Sequence, residues 1–322
     1  DTAAWGRQLE EHGVVVLAGA LTREEVDACV GLLWDWLEGL GTGIDRHDAT
    51  TWTTTDGRWP VDNSSTGVVC TGGAGQSLAA WTVRSAAAVR GAFAAVWGTG
   101  ELITSMDGLI RPLATVAAEA RWRRRELAHP WRLAAHRPER QQAAWARGGA
   151  GAGDAYRGRD PASTGGFVCV PGSHARPVRE ALVQRHSGYF QAKKRGDYFH
   201  LPQDDPLQGR AVGVPAAPGD LVLWDSRLVH ASEPAPGREG DVRDPDQGRE
   251  QVPLELLRAA VPVCMLPRSC AAEDGGLPAW RRDALRQGVT TKHWPNRRRT
   301  QGAAAGPGYV APELSDVMAG LL

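Results

Sequence analysis

Residues 218–231 read "PGDLVLWDSRLVHA", and residues 256–268 read "LLRAAVPVCMLPR". Pro218-Gly219-Asp220 is turn chemistry, because proline presets one backbone angle and glycine supplies the positive one. Leu221 to Trp224 then enters a sheet, and His230 comes at the far end of the predicted strand. The second stretch predicts another apolar strand, with Arg258 at its start. Upstream, "GGFVCVPGSH" (165–174) is a further strand closed by a Pro-Gly turn. Between the two late strands, residues 232–252 are polar and rich in Pro and Gly, which predicts a surface loop.

The N-terminal third is different. Val14 to Leu17 is a β-branched run and predicts a strand. Thr22 and Glu25 form the S/T-x-x-E pattern of a capping box. Val26, Val30, Leu33, Leu37 and Leu40 then repeat at helical spacing, and Gly41 and Gly43 stop the helix. Residues 45–76 predict loop, and 77–103 a second helical segment carrying Phe93 and Trp97. Helices first and short strands with Pro-Gly turns afterwards predict an α+β chain on an antiparallel barrel or jelly roll, with N-terminal and flanking helices. The 322 residues suffice for one large domain, and a single domain over 1–322 is the expectation.

Thirty-seven basic residues balance 37 acidic ones, so whole-chain charge predicts neither a nucleic-acid nor an acidic-membrane partner. No apolar run reaches the roughly 20 residues that span a bilayer. The five cysteines show no CxxC spacing, which argues against a disulfide framework or a zinc site and predicts that four are small core residues. A reducing, cytoplasmic setting is expected. The chain starts at Asp1 without Met, so a preceding segment is expected to be missing. Oligomeric state is not readable.

A lone histidine at a strand end is more often a hydrogen-bonded sheet-edge residue than a ligand, yet neutral imidazole also suits Fe(II). Arg258 is either a surface arginine or a fork that grips a carboxylate bidentately. His174 in "PGSH" fits a structural turn histidine, and His293 with Trp294 either packs or lines a substrate mouth.

The blocks "HGVVVLAGALTREEVDACVGLL", "STGGFVCVPGSH", "PGDLVLWDSRLVHA" with "LLRAAVPVCMLPR", and the later "TTKHWP" resemble the phytanoyl-CoA dioxygenase family of Fe(II)/2-oxoglutarate oxygenases. The resemblance covers most of residues 10–108 and 162–295. It implies a double-stranded β-helix (jelly roll), Fe(II) held by a His-x-Asp pair and a distal histidine, and 2-oxoglutarate paired with an arginine. By position His230 matches the distal histidine and Arg258 the oxoglutarate arginine, with Arg238 and Arg243 as alternatives because the intervening loop is long. The implied reaction couples decarboxylation of 2-oxoglutarate to succinate with hydroxylation of a small organic or lipid-like substrate.

The chain departs from that pattern in one place. None of its nine histidines is followed two residues later by Asp or Glu. The pair should lie between Gly108 and Thr164, where the sequence has no apolar period, eight arginines from Arg121 to Arg147, and then an Ala/Gly tract. Segment 112–161 is therefore expected to be irregular, poorly packed, and to leave a gap in the sheet. Taken one base later, Leu133 to Arg140 can encode W-L-H-T-D-Q-N, and Gly149 to Arg157 can encode V-Q-A-L-V-T-L-T. The run reads as GC-rich coding sequence translated out of frame. Taken as written, it supports two other classes: an inactive β-helix that binds without catalysis, and single-stranded nucleic-acid binding by the arginines and Trp122, Trp131 and Trp145 over 121–147. Out-of-frame GC-rich DNA also yields Arg, Ala, Gly and Pro, which weighs against the nucleic-acid class.

Overall fold

The computed structural model describes residues 2–52, 58–60, 68–114, 134–136, 150–153, 166–191, 198–233, 256–271 and 274–322. It combines helices with three sheets. Helix α1 (Thr2–His12) leads into β1 (Val14–Leu17) and α2 (Arg23–Gly39). The capping box forms as expected: the Thr22 hydroxyl accepts from Glu25 N at 3.2 Å, and the Glu25 carboxylate accepts from Thr22 N at 2.8 Å. Val26, Val30, Leu33 and Leu37 are buried along one face, as their spacing requires. Thr22→Ala removes one of the two reciprocal bonds and is expected to cost about 1 kcal/mol in chemical denaturation.

Segment 77–103 is two helices rather than one. α3 (Leu78–Ser85) ends where Ala86 turns extended at ψ 134°, and α4 (Ala87–Trp97) starts afresh. The described residues of segment 45–76 are mostly loop, with a two-residue strand β2 (Val68–Val69) and two short 3-10 turns. Strands β3 (Leu102–Thr104) and β4 (Leu109–Ala114) follow, then β5 (Ala134–His136), β6 (Ala150–Gly153) and β7 (Gly166–Cys169). Helices α5 (Arg176–Arg185) and α6 (Ser187–Gln191) precede β8 (Tyr198–His200), β9 (Val212–Val214), β10 (Leu221–Trp224) and β11 (His230–Glu233). The chain continues through β12 (Leu256–Val263), β13 (Met265–Pro267), α7 (Leu277–Arg286) and α8 (Asp316–Gly320).

One sheet runs β1-β10-β6-β12-β4-β2 and a second runs β8-β5-β11-β7-β9, with antiparallel pairing throughout. A small third sheet pairs β13 with β3. Successive strands β4, β5, β6 and β7 alternate between the two large sheets, and so do β9, β10, β11 and β12. Period-two alternation in β10 divides its burial between two cores. Leu221 and Leu223 pack with Leu33, Leu37, Trp81 and Phe93 of the helical layer. Val222 packs with Phe167 and Cys169 from the second sheet and with Leu228 from the turn before it.

Three expectations need correction. "LVLWDSRLVHA" is not one strand: β10 stops at Trp224, residues 225–229 turn, and His230 opens β11 in the other sheet. The turn is held by Asp225, whose carboxylate accepts from Arg227 N at 2.8 Å and from its guanidinium, while Leu228 N donates to Asp225 O at 2.9 Å. "LLRAAVPVCMLPR" likewise divides at Cys264 into β12 and β13. Most consequentially, the described residues of segment 112–161 occupy strand positions rather than leaving a gap. Residues 112–114 complete β4, Ala134–His136 form β5, and Ala150–Gly153 form β6. The physical reason is that ladder hydrogen bonds use only backbone groups, so a short Ala/Gly stretch fills a strand slot whatever its side chains. The rest of that segment, and most of loop 232–252, lies outside the described residues.

All five cysteines are free, and Cys29, Cys70, Cys169 and Cys264 are buried, as expected. Burial pushes the Cys29 thiol up to about 11 and Cys169 up to about 12, so both are inert small core residues. Among the described residues no helix is long and apolar enough to cross a membrane.

Candidate metal centre

His230 is placed by the turn before it and by the "PGSH" block beneath it. Asp225 N donates to Gly13 O at 2.8 Å, anchoring the turn to the β1 entry. Val229 N donates to the Ser173 hydroxyl at 2.8 Å, and Val170 N donates to Val229 O at 2.9 Å. Arg179 of α5 donates to Arg227 O at 2.8 Å. His174 is structural, as the sequence predicts: its Nε2 lies 2.9 Å from Glu10 O. The ring packs so closely on Gly13 that a Cβ there would sit 2.4 Å from His174 Nδ1. Gly13 also has φ +76°, so this position needs glycine for two separate reasons.

The His230 ring stacks on Phe167 with centroids 5.6 Å apart and leans on Trp224 at 5.7 Å. Part of its surface stays open to solvent, but its surroundings are dense enough that burial lowers its pKa and favours the neutral ring. Its Nδ1 lies 2.8 Å from Leu228 O. A carbonyl only accepts, so Nδ1 carries the proton and Nε2 carries the lone pair. A backbone carbonyl on one ring nitrogen is the arrangement that fixes an imidazole for ligation through the other.

Among the described residues no group of three or more His, Cys, Asp or Glu side chains could hold a metal ion. Two-histidine, one-carboxylate chemistry needs three donors, so the described residues do not fit a bound Fe(II). The residue opposite His230 in the ladder is Ala134.

Arg258 and His230 lie on strands of different sheets. β11 pairs with β5 and β7, whereas Arg258 lies in β12 of the other sheet, opposite Leu113, with register shifts on both sides. The Arg258 side chain, Arg238 and Arg243 lie outside what the structure describes. Of the Arg/Trp-rich run 121–147, Ala134–His136 are described, and they form a sheet strand. His293 and Trp294 have ring centroids 4.7 Å apart. Phe167 and Trp224, which wall the His230 ring, were not singled out from sequence. Their signal was present: each is an aromatic in a strand leading to or flanking the turn. Arg179 gave no signal, because nothing in the sequence places residues 176–185 against the turn.

A family model described as phytanoyl-CoA dioxygenase matches residues 160–238, which contain β7, the "PGSH" block, the Asp225 turn and His230. "Ava biosynthesis cluster protein O" from Aspergillus versicolor is 26% identical over 277 residues, covering 84% of this chain and 79% of its own. The crystal structure of hypothetical protein JW0805 from Escherichia coli superposes with a TM-score of 0.53 at 13% identity, over 90% of this chain and 74% of that one, a likeness of fold. The non-heme alpha ketoglutarate dependent epimerase SnoN from nogalamycin biosynthesis matches at a TM-score of 0.43 and 15% identity, over 83% of this chain and 84% of its own. With the match spanning the strands and turn that position His230, the chain is phytanoyl-CoA dioxygenase-like over residues 160–238.

Proposed function

We propose that this chain is the scaffold of an Fe(II)/2-oxoglutarate oxygenase for a small organic substrate, and that as written it lacks the donors to hold iron. The observation that carries the scaffold is His230: it lies inside the family match, and its Nδ1 proton is committed to Leu228 O. The alternation of β4 to β7 and β9 to β12 between two sheets supports a double-stranded β-helix, since that is how such a helix is wound. A relative named for a biosynthesis cluster favours a small-molecule substrate over a macromolecular one. Arg258 is the proposed partner of the 2-oxoglutarate carboxylate. It enters the strand that follows β11, and a guanidinium fork matches a carboxylate. The missing donors equally favour a β-helix that binds a small molecule without turning it over.

Anaerobic Fe(II) titration of the purified chain, with metal analysis after gel filtration, tests this. Iron is expected far below one per chain and unchanged by His230→Ala. Succinate release from 2-oxoglutarate is expected at the level of that variant. One iron per chain, lost in His230→Ala, would show that other residues complete the site. A 2-oxoglutarate binding signal abolished by Arg258→Met in the absence of iron would favour the binding module.

A further inference from the structure

We infer that residues from about 115 to 162 are the wrong-frame translation of DNA that encodes two internal strands of these sheets. The part that concerns metal donors rests on the oxygenase reading above; the part that concerns the strands does not.

The first observation is where β5 and β6 sit. β6 lies between β10 and β12, and β5 lies between β8 and β11. Both are internal, with a strand on each side. The β6 neighbours are core: Leu221, Val222 and Leu223 are fully buried, and Val261 and Val263 nearly so. Such a slot selects β-branched and large apolar residues. β6 is instead Ala-Gly-Ala-Gly. In the cross-strand row Leu223–Gly151–Val263 the middle position has no side chain. Every other strand of that sheet carries at least one Val, Leu or Ile. Glycine inside a strand weakens it.

The second observation is what the same bases encode one position later. Every Gly codon is GGN and every Ala codon GCN. In an alternating Gly/Ala tract the shifted codons must therefore alternate between GNG and CNG. That restricts them to Val, Ala, Glu or Gly at one position and Leu, Pro, Gln or Arg at the next. The codons spanning Gly149 to Arg157 permit V-Q-A-L-V-T-L-T. Leu is then encoded across Ala152–Gly153 and Val across Gly153–Asp154, within and just beyond β6.

The third observation is the β5 register. Ala134 is opposite His230. The shifted codons from Leu133 permit W-L-H-T-D-Q-N, with His spanning Ala135–His136 and Asp spanning Arg137–Pro138. The shifted His thus falls inside the strand hydrogen-bonded to the one that His230 opens. Side chains two apart on a strand point to the same face, so His and Asp in that spacing project together.

The test is the nucleotide sequence of the genomic locus and its transcript over codons 108–164, together with expression of the chain as written and of a chain restored by one frame change after Gly108 and a compensating one before Ser163. The shifted frame is expected to be open throughout, with CAC and GAC at the two positions named. The restored chain is expected to resist limited proteolysis roughly tenfold longer, because several apolar side chains regain a buried slot. It should also bind one Fe(II), lost in His230→Ala. A stop codon in the shifted frame, any other residue at those two positions, or faster proteolysis of the restored chain overturns the inference and leaves the oxygenase scaffold untouched. An open frame with both codons and a resistant restored chain that binds no iron upholds the frame and overturns the oxygenase reading.

Discussion

Arg84→Ala is expected to destabilise the protein by about 3–5 kcal/mol, because it removes a charge that three neighbours are built around. Arg84 on α3 is fully buried. One guanidinium nitrogen donates to Gly75 O at 2.7 Å and another to Asp107 O at 2.7 Å, and the group sits 5.6 Å over the Trp81 ring. It therefore fastens the helical layer to residues 105–108, from which β4 departs. Burial pushes the arginine down to about 10, with the Asp107 charge opposing the fall. Burial also raises the Asp107 carboxyl from 3.8 to about 6, against Gly108 N and the charges of Arg84 and Lys292. The sign follows from that direction. The folded state takes up the Asp107 proton before the unfolded state does, so this group adds stability as pH falls from about 6 towards 4 and withdraws it as pH rises. Arg84→Ala removes a cation and should carry that window to higher pH. Urea unfolding at pH 5 and pH 7.5 reads both effects. A cost under about 1 kcal/mol at both pH values would mean that Arg84 is not holding the layers together.

Gly219→Ala is the second large effect, expected at about 2–5 kcal/mol. Gly219 has φ +90°, where an L side chain is strained, and a Cβ there would lie 2.5 Å from Leu21 O. That carbonyl cannot give way cheaply, since Leu21 N donates to Gly219 O at 2.9 Å. Asp220 closes the same corner, accepting from Gly19 N at 2.9 Å and from Ala217 N at 2.8 Å. Gly213→Ala is the control: nothing lies within 4 Å of its Cβ position, and its cost should stay within about 0.5 kcal/mol. Equal denaturation midpoints for the two variants would refute the corner argument.

Local chemistry made part of this architecture legible. The Thr22/Glu25 box, the Val26 to Leu37 face and the β1 run are each specified by residues within a few positions of one another, and each forms as read. The Pro-Gly-Asp turn before β10 is of the same kind. What sequence missed depends on distant partners. β10 and β11 look like one strand until Asp225 is seen bonding back to Arg227 and to the β1 entry. α5 and α6 carry no strong apolar period, and Leu182 and Phe190 find their core only with Phe199 and Val229. For the candidate site, the block carrying His230 stands out in the sequence, but the alternation that puts β11 and β12 in different sheets is a property of the whole winding. The filled β5 and β6 slots were illegible for another reason: a ladder reads backbone, and composition reports side chains.

The Gly19–Asp220 bond joins residues 201 positions apart, and β1 pairs with β10 in the same corner. During synthesis the Val14–Leu17 strand therefore emerges long before its ladder partner β10. At ordinary ribosomal speeds of about 5–20 residues per second, the wait is roughly 10–40 s. Throughout it, an apolar four-residue edge hangs unpaired from the nascent chain, open to any other strand it meets. Yield of native protein should then depend on translation rate and on chaperone cover over that interval, independently of how stable the finished fold is.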